Sequence, residues 1–366
     1  MTDATHDAGD LSVDPDIRRA RTIPSRVYTD PSLFALQRER VLARAWLFAG
    51  LAEQLKEPGH VLPIELPGVA EPVLLVRDQQ DRLRAMSNVC THRGNLVCGG
   101  EQTTNQLRCR YHGRRFALDG RMTHAPEFDG VEGFPARSDD LPPVPFAAWN
   151  GVLFAGVAPA CGFEDWVAPL RSRLDPLPWA FAKLDLTSAR DYVVCAHWAL
   201  YVENYLEGFH IPYVHASLSG ALDYGAYANE LYPWGTLQLG IASSGEAAFE
   251  LPPAHPDAGR RVAAYYYWLY PSTMVNVYPW GVSLNVVIPI DVNRTKVRFI
   301  PLVWDPSKRD QGAGAGLDRV EREDESIVEA VQKGVASRAY DRGRYSATRE
   351  QGVHHFHRLL AGSLAT

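Results

Sequence analysis

Cysteine is scarce in this chain, with five residues, an odd number, among 366 positions. So few thiols cannot form the disulfide framework of a small secreted domain, which leaves burial or metal ligation for each. Basic charge is not in excess either. Lys and Arg total 37 against 43 Asp and Glu, a net charge of −6. That balance lacks the basic stripe a phosphate backbone requires, so no nucleic acid partner is expected. No run of 18 apolar residues occurs, and no helical membrane span is expected. The segment from Met1 to Asp16 is polar and acidic, without the basic and apolar stretches of a secretory signal. The expectation is a cytoplasmic protein whose residues 1–24 form a disordered leader.

What is present is an ordinary globular composition, 46% hydrophobic and 22% charged, in a chain long enough for two domains. From Asp30 to Trp46 the apolar residues recur at helical spacing, with Asp30 and Pro31 suited to the N-cap and first helical position. Short strand-like runs punctuated by Pro and Gly follow, among them Val61 to Leu66, Val73 to Arg77 and Leu83 to Val89. They suggest a compact all-β domain over residues 48–157, preceded by a helical segment, 25–47, that packs with the second domain. Over 158–366 the texture changes. Helical stretches at Phe163 to Leu174 and His197 to Phe209 precede long alternating runs, including Glu230 to Ala242 and Arg261 to Tyr270. Helices are expected again over Leu317 to Ala336 and Ala347 to Leu360. A broad antiparallel sheet with long terminal helices is an α+β arrangement.

Two constellations carry chemistry. In the first, Cys90-Thr-His92 is followed after sixteen residues by Cys109-Arg-Tyr-His112. Two thiolates and two imidazoles can hold zinc, or a 2Fe–2S cluster with both Cys on one iron and both His on the other. Donor chemistry alone leaves both open. The order favours the cluster, because each loop mixes Cys with His and so can send one ligand to each iron. In the second, His210 and His215 lie five apart in Glu203-Asn-Tyr-Leu-Glu-Gly-Phe-His-Ile-Pro-Tyr-Val-His215. Pro212 is expected to break the helix between them, and Glu207 to sit one turn before His210, within reach of its ring. In the expected helix from Val320 to Val335, Asp324 falls at the centre of an apolar stripe of Val320, Ile327, Val328, Val331 and Val335. Glu321 falls at its edge, and Glu323, Glu325 and Glu329 point away. A carboxylate so placed calls for a salt bridge or a metal, and with the two histidines it completes a 2-His-1-carboxylate set.

Both constellations, in this order, resemble the Rieske non-haem iron oxygenases, the ring-hydroxylating oxygenase α-subunit family. The likeness runs from Ser25-Arg-Val-Tyr-Thr-Asp30 through Asn204-x-x-Glu207-x-x-His210-x4-His215 to Glu323-Asp324-x-x-Ile327-Val328-Glu329. It implies a small all-β Rieske domain followed by a helix-grip catalytic domain. It also implies that Cys90, His92, Cys109 and His112 hold a 2Fe–2S cluster, and that His210, His215 and Asp324 hold a mononuclear Fe(II). Glu207 and Asn204 then serve catalysis, with Glu207 linking one subunit's iron to its neighbour's cluster in a homotrimer. The activity implied is insertion of O₂-derived oxygen into a small organic substrate. Glu at position 207, where many aromatic-ring dioxygenases carry Asp, is similar to the branch acting on trimethylammonium compounds. The aromatics of Tyr265-Tyr-Tyr-Trp268 and Tyr278-Pro-Trp280 could line a cage for such a cation, though alternating strand aromatics are more often plain core and surface packing, the reading favoured here. No reductase is built in. Gly312-Ala-Gly-Ala-Gly316 lacks dinucleotide-fingerprint spacing and reads as a flexible loop, and no plant-type ferredoxin cysteine run occurs. A separate NAD(P)H-dependent reductase, with or without a ferredoxin, is therefore implied. The rival readings are an aromatic ring-dihydroxylating dioxygenase and a non-catalytic Rieske electron-transfer or ligand-binding protein.

Overall fold

The computed structural model describes residues 10–365, which form two compact units, 42–160 and 10–41 together with 161–365. Residues 1–9 of the expected leader lie outside the described residues. Residues 10–24 differ from the expectation of disorder. Leu11, Ala20 and Ile23 are buried, and His354 Nε2 donates to the Asp14 carbonyl at 2.8 Å. Three apolar side chains and backbone pairing to the C-terminal region hold this segment despite its acidic composition. It leads into helices α1 (Arg26–Thr29) and α2 (Pro31–Gln37). Asp30 caps α2 by accepting the Ser32 N–H, and Pro31 opens it, where a missing N–H costs nothing.

The unit 42–160 is all-β among the described elements, apart from single helical turns. A three-stranded sheet joins β1 (Leu47–Leu51) to β9 (Phe146–Trp149) and β10 (Val152–Ala155). A four-stranded sheet holds β2 (His60–Glu65), β3 (Pro72–Arg77), β4 (Leu83–Ser87) and β5 (Gln102–Thr103). A third, small sheet comprises β6 (Leu107–Arg108), β7 (Arg115–Phe116) and β8 (Met122–His124). All pair antiparallel.

The other unit is built on one broad antiparallel sheet. After α3 (Phe163–Leu174) come β11 (Lys183–Leu184), β12 (Arg190–Val194) and the helices α4 (Trp198–Tyr205), α5 (Ile211–Val214) and α6 (Ala216–Ala221). Six strands then meander in sequence order: β13 (Ala228–Tyr232), β14 (Gly235–Ile241), β15 (Val262–Leu269), β16 (Thr273–Tyr278), β17 (Gly281–Asp291) and β18 (Arg294–Val303). Strands β11 and β12 pair in turn along the free edge of β18. The run expected as one strand from Glu230 to Ala242 is a hairpin, turning where Tyr232 pairs Gly235. Pro233, without an N–H, cannot continue a ladder. Helices α7 (Leu317–Val335) and α8 (Gln351–Ala365) complete the unit. Helix α4 packs between β17, α7 and α8, while α3 packs on β15. No helix among the described residues is long and apolar enough to cross a membrane.

The α8–α4 contact is closer than ordinary side chains permit. A Cβ on Gly352 would lie 2.4 Å from the carbonyl oxygen of Leu206, the residue that caps the C-terminus of α4 before Glu207. Replacing a helical glycine by alanine ordinarily favours the helix by up to about 1 kcal/mol. Here steric displacement dominates, and Gly352→Ala is expected to destabilise by about 1–3 kcal/mol, read as a lower midpoint in a denaturant melt.

Candidate active site

In the β unit, two loops of the same design face each other. In the first, the Cys90 N–H donates to the Asn95 carbonyl and the Gly94 N–H to the Cys90 carbonyl, at 2.9 and 3.0 Å. In the second, Cys109 and Arg114, then Gly113 and Cys109, repeat both bonds at 2.9 and 3.1 Å. Gly94 and Gly113 occupy φ +70° and +75°, the left-handed region glycine enters without strain. Each loop thus places a buried Cys at its root and a His at its tip. The Cys90 and Cys109 thiols lie within hydrogen-bond reach of each other, and the His92 and His112 ring centroids are 4.6 Å apart. Asn95 Nδ2 donates to Cys109 Sγ at 3.6 Å. His92 Nδ1 is buried without a hydrogen-bond partner, an unsatisfied nitrogen with a lone pair that could serve as a metal ligand. Buried Arg114, which the sequence analysis did not single out, ties the loops by donating to Thr91 Oγ1 at 3.2 Å beneath the Phe128 ring.

In the sheet unit, the helical run ends at Leu206 and the chain turns through Glu207-Gly208-Phe209 before α5. From the sequence Pro212 is expected to break the helix, and it does not. It sits in the first turn of α5, while His210 caps that turn and His215 follows it with φ −110° and ψ 83°. One short turn therefore separates the two imidazoles. Helix α7 presents a more polar face than its apolar pattern suggested. Val328 and Val335 are buried, whereas Ile327 and Val331 are exposed, and Glu321 and Gln332 take buried positions. The Gln332 side chain accepts the His197 N–H at 2.8 Å, so backbone satisfaction fixes the rotation of the helix.

That rotation brings Asp324 to the histidines. His210 Nε2 and His215 Nε2 are 3.1 Å apart, and Asp324 Oδ1 lies 3.4 Å from the first and 3.0 Å from the second. Each ring's other nitrogen has a carboxylate. His210 Nδ1–H donates to Glu207 Oε1 at 2.6 Å, and His215 Nδ1–H donates to Glu323 Oε2 at 2.8 Å. Glu323, expected to point away, was missed because its partner is 108 residues distant. Glu207 Oε2 also accepts the His210 backbone N–H at 3.0 Å, and Asn204 Nδ2 donates to Asp324 Oδ1 at 2.7 Å. With the Nδ1 protons so assigned, both Nε2 lone pairs and a carboxylate oxygen converge with no proton between them. Three such atoms repel unless a cation joins them. Separations of about 3 Å are those of adjacent ligands on a six-coordinate ion with bonds of about 2.1 Å. Among the described residues this is the one His, Cys, Asp and Glu group of metal-site geometry.

A cleft partly open to solvent lies over these atoms. Its floor is a cross-strand row, Gln238 opposite Tyr266, Tyr266 opposite Asn276 and Asn276 opposite Ser283, with Asn285 and Tyr278 beside it. Tyr205 and Tyr227 add two further rings, and burial pushes the phenols of Tyr205, Tyr227, Tyr266 and Tyr278 well above their usual pKa. Of the aromatics singled out from sequence, only Tyr266 and Tyr278 face the cleft. Tyr265 and Tyr267 fall on the opposite sheet face, bonded to Asp257 and Pro169, and Trp280 stacks against Tyr278 at 5.3 Å. The glycine-rich segment is no flexible loop. Ala313 is buried at the cleft, and a Cβ on Gly314 would meet Trp280 Nε1.

Comparison with known proteins matches the same two regions. Residues 45–135 match the Rieske [2Fe-2S] domain, and residues 181–365 match the ring hydroxylating alpha subunit (catalytic domain). The chain is 30% identical to a chloroplastic choline monooxygenase of Arabidopsis thaliana, over 96% of this chain and 85% of that protein. It is 31% identical to the carnitine monooxygenase oxygenase subunit of Escherichia coli K12, over 94% of each. The solved quaternary ammonium Rieske monooxygenase CntA with L-carnitine superposes with a TM-score of 0.74 at 24% identity, over 96% of this chain and 97% of that one. Naphthalene 1,2-dioxygenase from Rhodococcus superposes at 0.71 and 17% identity, over 93% of each chain, and shares the fold. With two family models placed on the two sites, the chain belongs to the Rieske non-haem iron oxygenases of the ring-hydroxylating α-subunit family, an oxygenase component with one 2Fe–2S cluster and one mononuclear iron that depends on a separate reductase.

Proposed function

We propose that the protein is the terminal oxygenase for a small trimethylammonium substrate, which it hydroxylates or oxidatively demethylates. In this reading Cys90, Cys109, His92 and His112 hold the cluster, and His210, His215 and Asp324 hold the iron. The observation that carries it is the convergence of two Nε2 atoms and one carboxylate oxygen beneath a cleft faced with tyrosine rings. A quaternary ammonium has no N–H to donate and is bound by charge and by aromatic faces. The names of the choline and carnitine monooxygenases among its relatives point the same way, as does Glu rather than Asp at position 207. The polar floor of Gln238, Asn276, Ser283 and Asn285 suits a hydrocarbon ring poorly, which disfavours the aromatic dioxygenase reading.

When loaded, the cluster supplies electrons one at a time and the iron activates O₂. The chain's own residues position these groups. Glu207 and Glu323 hold the Nδ1 protons that orient the two imidazoles, Asn204 holds the carboxylate of Asp324, and the tyrosines exclude water around the substrate. The electron donor in this reading is an NAD(P)H-dependent reductase acting in the cytoplasm. The homotrimer brings a neighbour's His92 or His112 to Glu207. Support comes from the exposed ring of His112, from the short Glu207–His210 contact, and from the inter-subunit electron transfer described for the related quaternary ammonium monooxygenase.

Three outcomes are expected. First, His210→Ala, His215→Ala or Asp324→Ala should abolish incorporation of labelled oxygen into choline, carnitine or a betaine with a surrogate reductase. The Rieske EPR signal of each reduced variant should persist. Wild-type turnover in all three would remove the ligand assignment, and a fully cysteinate signal or a colourless zinc protein would remove the cluster assignment. Second, Glu323→Ala, which frees the His215 ring, should weaken iron binding about 10–100-fold, measured as iron retained per chain against a graded chelator. Third, Glu207→Gln should retain both centres and the oligomer yet sharply slow cluster reoxidation in rapid mixing with O₂ and substrate. A surface glutamate would contribute about 1 kcal/mol or less to stability and leave that rate unchanged.

A further inference from the structure

Three carboxylates line the cleft, and two are engaged by the histidine assembly. Glu207 holds His210, and Asp324 meets both rings and Asn204. The third, Glu321, is 5% exposed. Its hydrogen bonds come from one group, the Tyr201 hydroxyl, at 2.9 and 2.8 Å to its two oxygens. No Lys or Arg pairs with it among the described residues, and none lines the cleft. A carboxyl group buried beside a single hydroxyl is costly to ionise, and burial pushes its pKa up to about 8. Such an acid stays protonated until an opposite charge is brought to it. Glu321 lines the same cleft as Tyr205, Tyr266 and Tyr278, and that cleft is where such a charge can arrive.

We infer that Glu321 is the specificity-determining counter-ion of the substrate cleft, selecting a quaternary ammonium cation that carries no carboxylate of its own. The inference rests on the trimethylammonium reading above and narrows it. A zwitterionic substrate would bring its acid into a cleft with no Lys or Arg to receive it, beside three acidic groups. A quaternary ammonium alcohol presents the cation to Glu321 and a hydroxyl to the amides of Asn276 or Asn285. Glu321 acts on binding rather than on the reacting atoms, so its effect belongs in KM and not in kcat.

The test uses the reconstituted holoenzyme under anaerobic conditions, with calorimetric titration of three probes: choline, its neutral isostere 3,3-dimethylbutan-1-ol, and L-carnitine. The wild type is expected to bind choline at least about tenfold more tightly than either other probe. Glu321→Gln, which keeps the shape and can still accept from Tyr201, is expected to weaken choline by roughly ten- to a hundredfold. It should leave the isostere unchanged and raise KM for choline turnover with kcat little altered. Should the Gln variant fail to assemble, judged by its Rieske EPR signal, Glu321→Leu tests the same loss of charge in an apolar wall. If the wild type binds neither cation, the trimethylammonium reading itself fails. If choline binds and the neutral variant keeps its affinity, Glu321 is not the counter-ion. Carnitine bound as tightly as choline by the wild type would overturn the exclusion of carboxylate-bearing substrates.

Discussion

Two imidazole nitrogens and a carboxylate oxygen held about 3 Å apart, with lone pairs facing inward, form an arrangement that opposes itself until a metal occupies it. Everything around it acts to hold it. Glu207 and Glu323 fix which nitrogen of each ring carries the proton, and Asn204 anchors the carboxylate. Asn204 and Glu323 sit on α4 and α7, which also contribute to packing, and Glu207 sits on the turn between α4 and α5, so the cost of assembling the donors is distributed over these segments. A proton on either imidazole would relieve the opposition only by giving up a lone pair needed for ligation. The same carboxylates that orient the rings therefore also set the state in which the site can accept its ion.

The sheet beneath serves two purposes along its length. On one face of β15, β16 and β17, Trp268, Met274 and Val287 pack with α4 and α8 in the core. Two residues further along each strand, on the same face, Tyr266, Asn276 and Asn285 line the cleft. The strand period of two keeps both sets on one side. The elements that stabilise the unit thus continue directly into the elements that shape the substrate space, and a rigid core fixes the cleft floor. Helix α7 follows the same division, burying Val328 and Val335 in the core and offering Glu321 and Asp324 to the cleft.

Charge within this region is one-sided. Glu207, Glu321, Glu323 and Asp324 surround the site, and among the described residues the cleft lining includes two histidines but no Lys or Arg, with Arg319 meeting Glu323 outside it. In a low-dielectric setting such an excess is tolerated where cations bind. In the proposed reading, a metal dication would answer the carboxylates at the histidines. Glu321, on the substrate side, remains for a cation that comes and goes.

The Cys and His pairs of the two β-unit loops, the His210–His215 spacing and the acid at Asp324 could be picked out of the sequence as candidate ligands because each pattern rests on local spacing. Cys-x-His and Cys-x-x-His fit single loops, the long alternating runs are strands with both faces covered, and Glu207 lies one turn from His210. Tertiary structure alone decided the rest. Whether Pro212 breaks a helix or opens one depends on where α4 stops, and that is set by its packing against Gly352. Which side of α7 is buried depends on Gln332 satisfying a backbone N–H from the segment before α4, so an apolar count placed Ile327 and Val331 inside when they are outside. Glu323 and Glu321 read as ordinary helix-surface acids until His215 and Tyr201 are brought to them from more than 100 residues away. The tyrosines could be separated into cleft and core only by strand register. The sequence by itself determined which donor atoms exist and how nearest neighbours along the chain can share a metal. The fold decided which carboxylates face them, because those contacts join residues that no periodicity connects.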